Sequence, residues 1–454
     1  MGSQVQGDHQ SPRAIGGGEQ RCLPSPRAEA KGGVLQLRLG RRQGGGQLAE
    51  DLSVGVQGVP RRTPRLIGKR GPFVRHGPRL PIGPAARAVT ARWQTGRVVA
   101  ANGGIRRAHG DSFACVAPAA GFSREEREAL ESAALAVGAT RALGAGRRAD
   151  AEEADPFRTC FERDRDRILH SSAFRRLAGK TQVFVNPLDH QRTRLTHALE
   201  VAQVATSVAR ACRLNVALAE AIALGHDCGH GPFGHASEEA LSPYLAGGYD
   251  HAVWGADVVL APANLCLETL DGIRNHSWSR PAPATPEGEV VSFADRIAYV
   301  CHDFEDAVAA GVVSPQMLPE VVRRRCGERR GEQLDTFITG LIGVVTVTGE
   351  VGLPPDLAEA LAVFRDDNYE RIYLRPASMA WARSVVDLLR ALVEHYCDRP
   401  NLIPDAAPSG LAAGGQEALR AAVTYVAGMT DRFAFTRAAA ELGWDARRLP
   451  AEVP

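Results

Sequence analysis

Ala223-Leu-Gly-His-Asp-Cys-Gly-His-Gly-Pro-Phe-Gly-His-Ala-Ser-Glu238 closes an apolar, helix-forming run from Val216 to Leu224 and gathers three histidines, an aspartate and a glutamate into sixteen residues. His226 and Asp227 are adjacent where the run ends, which puts two polar heads at one buried helix end. An unpaired carboxylate beside an imidazole is costly there, so the pair either changes protonation or acquires a cation. Imidazole nitrogen with carboxylate oxygen suits a divalent Zn, Mn, Fe, Ni or Mg ion, and the mixed set names none of them. Glycines 225, 229, 231 and 234 allow sharp turns and close backbone approach. A lone His-Asp pair also fits a satisfied core histidine beside a capping aspartate, so further ligands have to decide.

Two other segments supply them. Arg194-Leu-Thr-His197-Ala-Leu-Glu-Val201 places His197 near the start of a helix from Thr193 to Cys212, whose Leu195, Leu199, Val201 and Val204 face a core. Ser292-Phe-Ala-Asp295-Arg-Ile-Ala-Tyr299 places Asp295 inside an apolar helix from Val290 to Ala310. His, then His-Asp, then a distant Asp, each on an inward-facing helix, makes four ligands from three elements, with coordination positions left open for water and substrate.

The scaffold reads as mainly α. Ser123-Arg-Glu-Glu126 is a capping-box pattern opening a helix to about Val137. Helical spacing follows over Phe161 to Leu177, Leu214 to Leu224, Ala256 to Ala261, Leu265 to Asn275, Pro315 to Arg325, Gln333 to Val347, Leu357 to Tyr369 and Ser378 to Tyr396. Thr181 to Val185 is a short β-type run before a turn at Asn186-Pro187, and the proline-rich stretch Arg280 to Glu289 reads as a loop. Residues 1–120 differ sharply: they are rich in Gly, Pro, Arg and Gln, have almost no periodicity, and carry 19 Lys+Arg against 6 Asp+Glu. That composition predicts a disordered extension, and its dispersed arginines and sparse aromatics assign it no nucleic-acid role. Residues 121–454 then balance the chain with −11, for a total of +2. The expected domains are the extension at 1–120 and a catalytic unit at 121–454, its metal-binding core at about 155–310 and a helical part at about 311–435.

No apolar run reaches the roughly 18 to 20 residues of a membrane span and no secretory signal is visible, so a soluble cytoplasmic protein is expected. Nine cysteines without a CxxC pair argue against a disulfide framework or a cysteine zinc site.

From about Asp155 to Phe433 the chain resembles the deoxyguanosine triphosphate triphosphohydrolases of the HD-domain superfamily. The matching stretches are Arg192 to Val201, Gly225 to His235, Ala294 to Tyr299 with His302-Asp303, Asn368-Tyr-Glu-Arg-Ile-Tyr373 and Gly428-Met-Thr-Asp-Arg432, in order. The resemblance implies an HD-domain helical core with additional C-terminal helices, and a divalent metal on His197, His226, Asp227 and Asp295. It implies that His235 and Glu238 handle protons, with Glu238 orienting His235, and that His230 and Arg194 approach the phosphates. Gln182 would lie near the deoxyribose, Tyr299 near the sugar or phosphates, and His251 beside the site, followed here by Ala252 and Val253 where the family has Asn and Gln. The implied reaction splits a deoxynucleoside triphosphate, dGTP or another, into deoxynucleoside and tripolyphosphate. The implied partners are these substrates, a second copy of the chain in a homo-oligomer, and a nucleotide effector, with no membrane and no nucleic acid assigned. The alternatives are an HD-type phosphohydrolase or phosphodiesterase acting on another nucleotide, disfavoured by the long C-terminal half, and a nucleotide sensor without turnover, disfavoured by the intact ligands.

Overall fold

A computed structural model describes residues 121–184, 190–404, 406 and 410–445 and, upstream, 99–100, 106–107, 109, 116–117 and 119. The chain separates into two compact units, 1–113 and 114–454. In the first, the described residues include one two-residue antiparallel pairing, Val99 opposite Arg107 and Ala100 opposite Arg106. Most of the predicted extension lies outside the described residues.

The second unit is helical. It begins with α1 (Arg124–Ala134), where the Ser123 hydroxyl accepts from the Glu126 amide and the Glu126 carboxylate answers the Ser123 amide. After it come α2 (Cys160–His170) and α3 (Ser172–Arg176), which the sequence reading had joined; Ser171 ends one and caps the next in extended backbone. The helices α4 (Arg194–Ala211) and α5 (Val216–Gly225) follow, then α6 (His235–Leu241), α7 (His251–Trp254) and α8 (Leu267–Asn275). The stretch expected as a helix at Ala256 to Ala261 is a π-turn, Gly255–Val259, running into a 3₁₀ turn. Long α9 (Pro286–Ala309) starts earlier than expected, because Thr285 caps it and Pro286 takes the first helical position, where a missing N–H costs nothing. Pro319 splits the next expected helix, leaving α10 (Glu320–Cys326). Then come α11 (Arg330–Thr348), α12 (Pro355–Asn368), α13 (Pro376–Asp398), α14 (Gln416–Ala427) and α15 (Asp431–Leu442). The β-type run shrinks to a single bridge between Thr181 and Thr193; Val185 and the Asn186-Pro187 turn lie outside the described residues.

Small buried residues set how closely the helices pack. Along α4, Val201, Ala205 and Ala209 continue the stripe begun by His197, and this face meets α5 and α9. In α5, Leu218, Ala219, Ala221, Ile222 and Ala223 are all completely buried, each large one contributing about 1.5–3 kcal/mol. Glu287, buried in the first turn of α9, accepts from the Thr140 amide at 3.0 Å, the Thr140 hydroxyl at 2.7 Å and the Asn215 amide at 2.9 Å. Asn215 caps α5, so this carboxylate ties together the starts of the two helices that carry Asp295 and His226. A second apolar cluster joins α13, α14 and α15 to α6 and includes Phe233, Trp254, Trp381 and Tyr396.

Candidate metal centre and its cavity

The ends of α4 and α5 and the middle of α9 converge. His197 Nε2 lies 3.0 Å from Asp295 Oδ1, and His226 Nε2 lies 3.6 Å from that oxygen and 3.5 Å from Asp227 Oδ1. His226 Nδ1 is 2.6 Å from the Ala223 carbonyl, which fixes its proton there and leaves Nε2 as a lone pair without a hydrogen-bond partner, facing two carboxylates. Two imidazoles and two carboxylates, almost entirely buried, with an orphaned nitrogen among them, are the donor set that a divalent cation fits. His197, His226 and Asp295 together satisfy the spacing of a metal-binding group.

The electrostatics follow from burial set against neighbours. Burial opposes the His197 imidazolium, but the Asp295 hydrogen bond and charge outweigh it and raise the pKa. Burial also opposes the Asp295 and Asp227 carboxylates; the His197 hydrogen bond holds Asp295 well below the usual carboxylate range, and the Arg194 guanidinium does the same for Asp227. Arg194 Nη1 sits 2.8 Å from Asp227 Oδ2.

A second tier of histidines lies beside this group. His230 stacks on His251, ring centroids 3.7 Å apart at 16°, and its Nε2 is 3.2 Å from Asp227 Oδ1. Burial and then Arg194 push the His230 pKa far down, and the same two causes bring His235 to about 4. His235 heads α6 and its ring is open to the cavity. Glu238 corrects the sequence reading. Its Oε1 is 2.5 Å from His251 Nδ1 and accepts the His251 backbone N–H at 3.0 Å, whereas no hydrogen bond joins it to His235. The i, i+3 spacing brings Glu238 near His235, but α7 offers both a ring and an amide donor, and two donors win. Burial resists the Glu238 charge, and the His251 bond overrides it, holding the carboxyl at about 2.

Apart from His226, which is not among the lining residues, these open onto a cavity of about 850 Å³ that Gln182, Arg194, His197, Asp227, His230, His235, Glu238, His251, Asp295 and Tyr299 help to line. Two glycines are needed for it to close. A Cβ on Gly229 would sit 2.0 Å from the His251 carbonyl, and one on Gly234, at φ +63°, would sit 2.6 Å from Arg194 Nη2.

The sequence reading gave no role to several wall residues. His276, at the end of α8, places Nε2 3.2 Å from His251 Nε2 and ties Nδ1 to the Ile273 carbonyl at 2.8 Å. Burial above all, beside the His226 and His251 rings, lowers its pKa to about 4. Asp303, raised by burial to about 7, accepts from the Tyr373 hydroxyl at 2.5 Å. Arg296 lies 3.5 Å over the Trp278 ring. Their local signals were a helix-end Asn-His-Ser and the paired stretches His302-Asp303 and Asn368 to Tyr373, none of which shows in sequence what it faces. Part of the wall, including Arg365, Tyr369, Tyr373 and Trp381, comes from beyond the expected core at 155–310.

Residues 194–300 match the HD domain and 351–440 the phosphohydrolase-associated domain, which makes the chain an HD-domain hydrolase. The chain is 40% identical over 321 residues to the deoxyguanosinetriphosphate triphosphohydrolase-like protein of Caldanaerobacter subterraneus, covering 69% of this chain and 94% of that one. It is 35% identical over 381 residues to the corresponding protein 1 of Deinococcus radiodurans, covering 71% of this chain and the whole of that one. The chain therefore belongs to the deoxyguanosinetriphosphate triphosphohydrolase-like family. A solved structure of a hypothetical protein from Aquifex aeolicus overlaps 60% of this chain and 70% of that one, with 18% identity and a TM-score of 0.37. Among the described residues no helix is long and apolar enough to cross a membrane.

Proposed function

We propose that this protein hydrolyses deoxynucleoside triphosphates, dGTP or another, to deoxynucleoside and tripolyphosphate, with a divalent cation held by His197, His226, Asp227 and Asp295. The observation that carries the reading is the convergence of this two-carboxylate, two-imidazole set with the Arg194 guanidinium and the open His235 ring on one cavity of nucleotide-sized volume. When bound, the cation supplies Lewis acidity toward a phosphoryl oxygen and acidifies a water.

The remaining roles belong to side chains. Arg194 is held by Asp227 through one nitrogen, and its remaining donors attract the phosphoryl oxygens and stabilise charge as it builds on them, while the buried, uncharged His230 approaches the phosphates as a polar wall of the site. The water oxygen forms the new bond to the α-phosphorus, the bond from that phosphorus to O5′ breaks, and a proton ends on O5′. We assign the exchange of this proton to His235, the imidazole that heads α6 with its ring open to the cavity. Glu238 acts through His251, fixing the ring against which His230 stacks. Gln182, whose Oε1 has no hydrogen-bond partner, and Tyr299 line the region assigned to the sugar.

The test is to incubate metal-loaded protein with each of the four deoxynucleoside triphosphates, singly and mixed, and to separate the products. Deoxynucleoside with tripolyphosphate is expected. Monophosphate with pyrophosphate, or no product from any mixture, overturns the reading.

A further inference from the structure

His230 and His235 stand at the two ends of the short loop Gly231-Pro-Phe-Gly234, and this loop is not self-supporting. Phe233 has φ +64° and Gly234 φ +63°. A bulky residue stays in the left-handed region only where its surroundings hold it. Two buried ionisable side chains from elsewhere in the chain do so. At the start of the loop, Lys180 Nζ donates to the His230 carbonyl and, at 3.2 Å, to the Ala427 carbonyl at the end of α14. At its end, Asp431 Oδ1 accepts the Phe233 amide at 2.8 Å. Asp431 Oδ2 accepts the Thr181 amide at 2.8 Å and its hydroxyl at 2.6 Å, so the same carboxylate fixes the residue before Gln182. The Phe233 ring is enclosed by Trp381 and Phe435, on α13 and α15.

We infer that Lys180 and Asp431 are positioning residues, which clamp the loop between His230 and His235 from both ends. Through them the phosphohydrolase-associated region sets where the His235 ring sits. The inference rests on the proposed role of His235 and goes beyond it by giving the Gly428-Met-Thr-Asp431 turn a task. Neither clamp residue has to touch substrate. Each secures a backbone group that loop opening would leave buried and unpaired, and a displacement of about 1 Å at a reacting group costs on the order of 10² in rate.

The experiment compares Asp431→Asn and Lys180→Met with Val393→Ala, which trims a fully buried side chain of the same apolar cluster, further along α13 than the Trp381 that packs on Phe233. Asparagine keeps the shape of Asp431 but turns one acceptor into a donor facing an N–H. Both clamp variants should lose about 10- to 100-fold in kcat while KM and bound metal stay within about twofold. Amides of residue 231 and of residues 233–236 should exchange with deuterium about tenfold faster or more, and those of α4 and α5 should not change. Val393→Ala should lower the thermal midpoint and leave kcat unchanged. Normal kcat or unaltered exchange in Asp431→Asn overturns the inference, as does a loss of turnover in Val393→Ala that tracks its loss of stability. The exchange measurement needs no turnover, so it tests the clamp even where a wild-type protein without hydrolytic activity would refute the proposed function.

Discussion

Replacing Glu238 with glutamine tests which imidazole the carboxylate serves. Its folded value of about 2, against about 4.3 in an unfolded chain, corresponds to about 3 kcal/mol of stabilisation at neutral pH, since each pH unit is worth about 1.4. The side chain is 24% exposed, and screening reduces the contribution to roughly 1–2 kcal/mol. Because the folded value lies below the unfolded one, this stabilisation is fully present above about pH 5 and is lost as pH falls toward 2. Urea unfolding at pH 7 should therefore show Glu238→Gln less stable by roughly 1–2 kcal/mol, with the gap to wild type narrowing below about pH 4.5. Turnover should fall by about 10- to 100-fold, less than for removal of His235 itself. In a double-mutant cycle the Glu238→Gln/His251→Ala pair should be no slower than His251→Ala alone, because the carboxylate acts through that ring. Equal stability at pH 7, or losses that multiply in the pair, would refute the assignment and return Glu238 to His235.

Other outcomes follow from the same geometry. Asp295→Ala should lose bound metal and turnover together, since it removes one of two carboxylates and leaves a cation with mostly neutral ligands; full metal occupancy in the purified variant would count against Asp295 as a ligand. His235→Ala should keep its metal and still bind nucleotide while losing about 10² to 10⁴ in turnover; near-normal turnover would sink its proton-transfer role, and loss of metal would make it a ligand. Lys180 is pushed by burial, and then by Arg176, down to about 7. Between that value and the unfolded value of about 10.4 the unfolded chain holds a proton that the folded chain does not, so wild-type stability should rise with pH relative to Lys180→Met by up to about 1.4 kcal/mol per unit. Urea midpoints at pH 7.5 and 9.5 that run parallel in the two proteins would contradict this.

What local chemistry decides can be read from the order of the amino acids. A Ser-x-x-Glu capping box, an Ala-rich apolar run ending in His226-Asp227, and a histidine and an aspartate on two other apolar helices were enough to predict a mainly α protein and to select the four residues that meet at the end of α5. These features are legible because caps and helical faces depend on residues a few positions apart. Which partner a given side chain faces follows only from how the helices pack. Glu238 stands three residues from His235 yet bonds to His251, because α7 presents two donors where α6 presents one ring. His276 joins the histidine tier only because α8 ends against it, and Asp431 reaches Thr181 and Phe233 across 250 and 198 positions of chain. A hydrogen bond depends on distance and direction in space, and no periodicity along the chain encodes a pairing between helices so far apart in sequence.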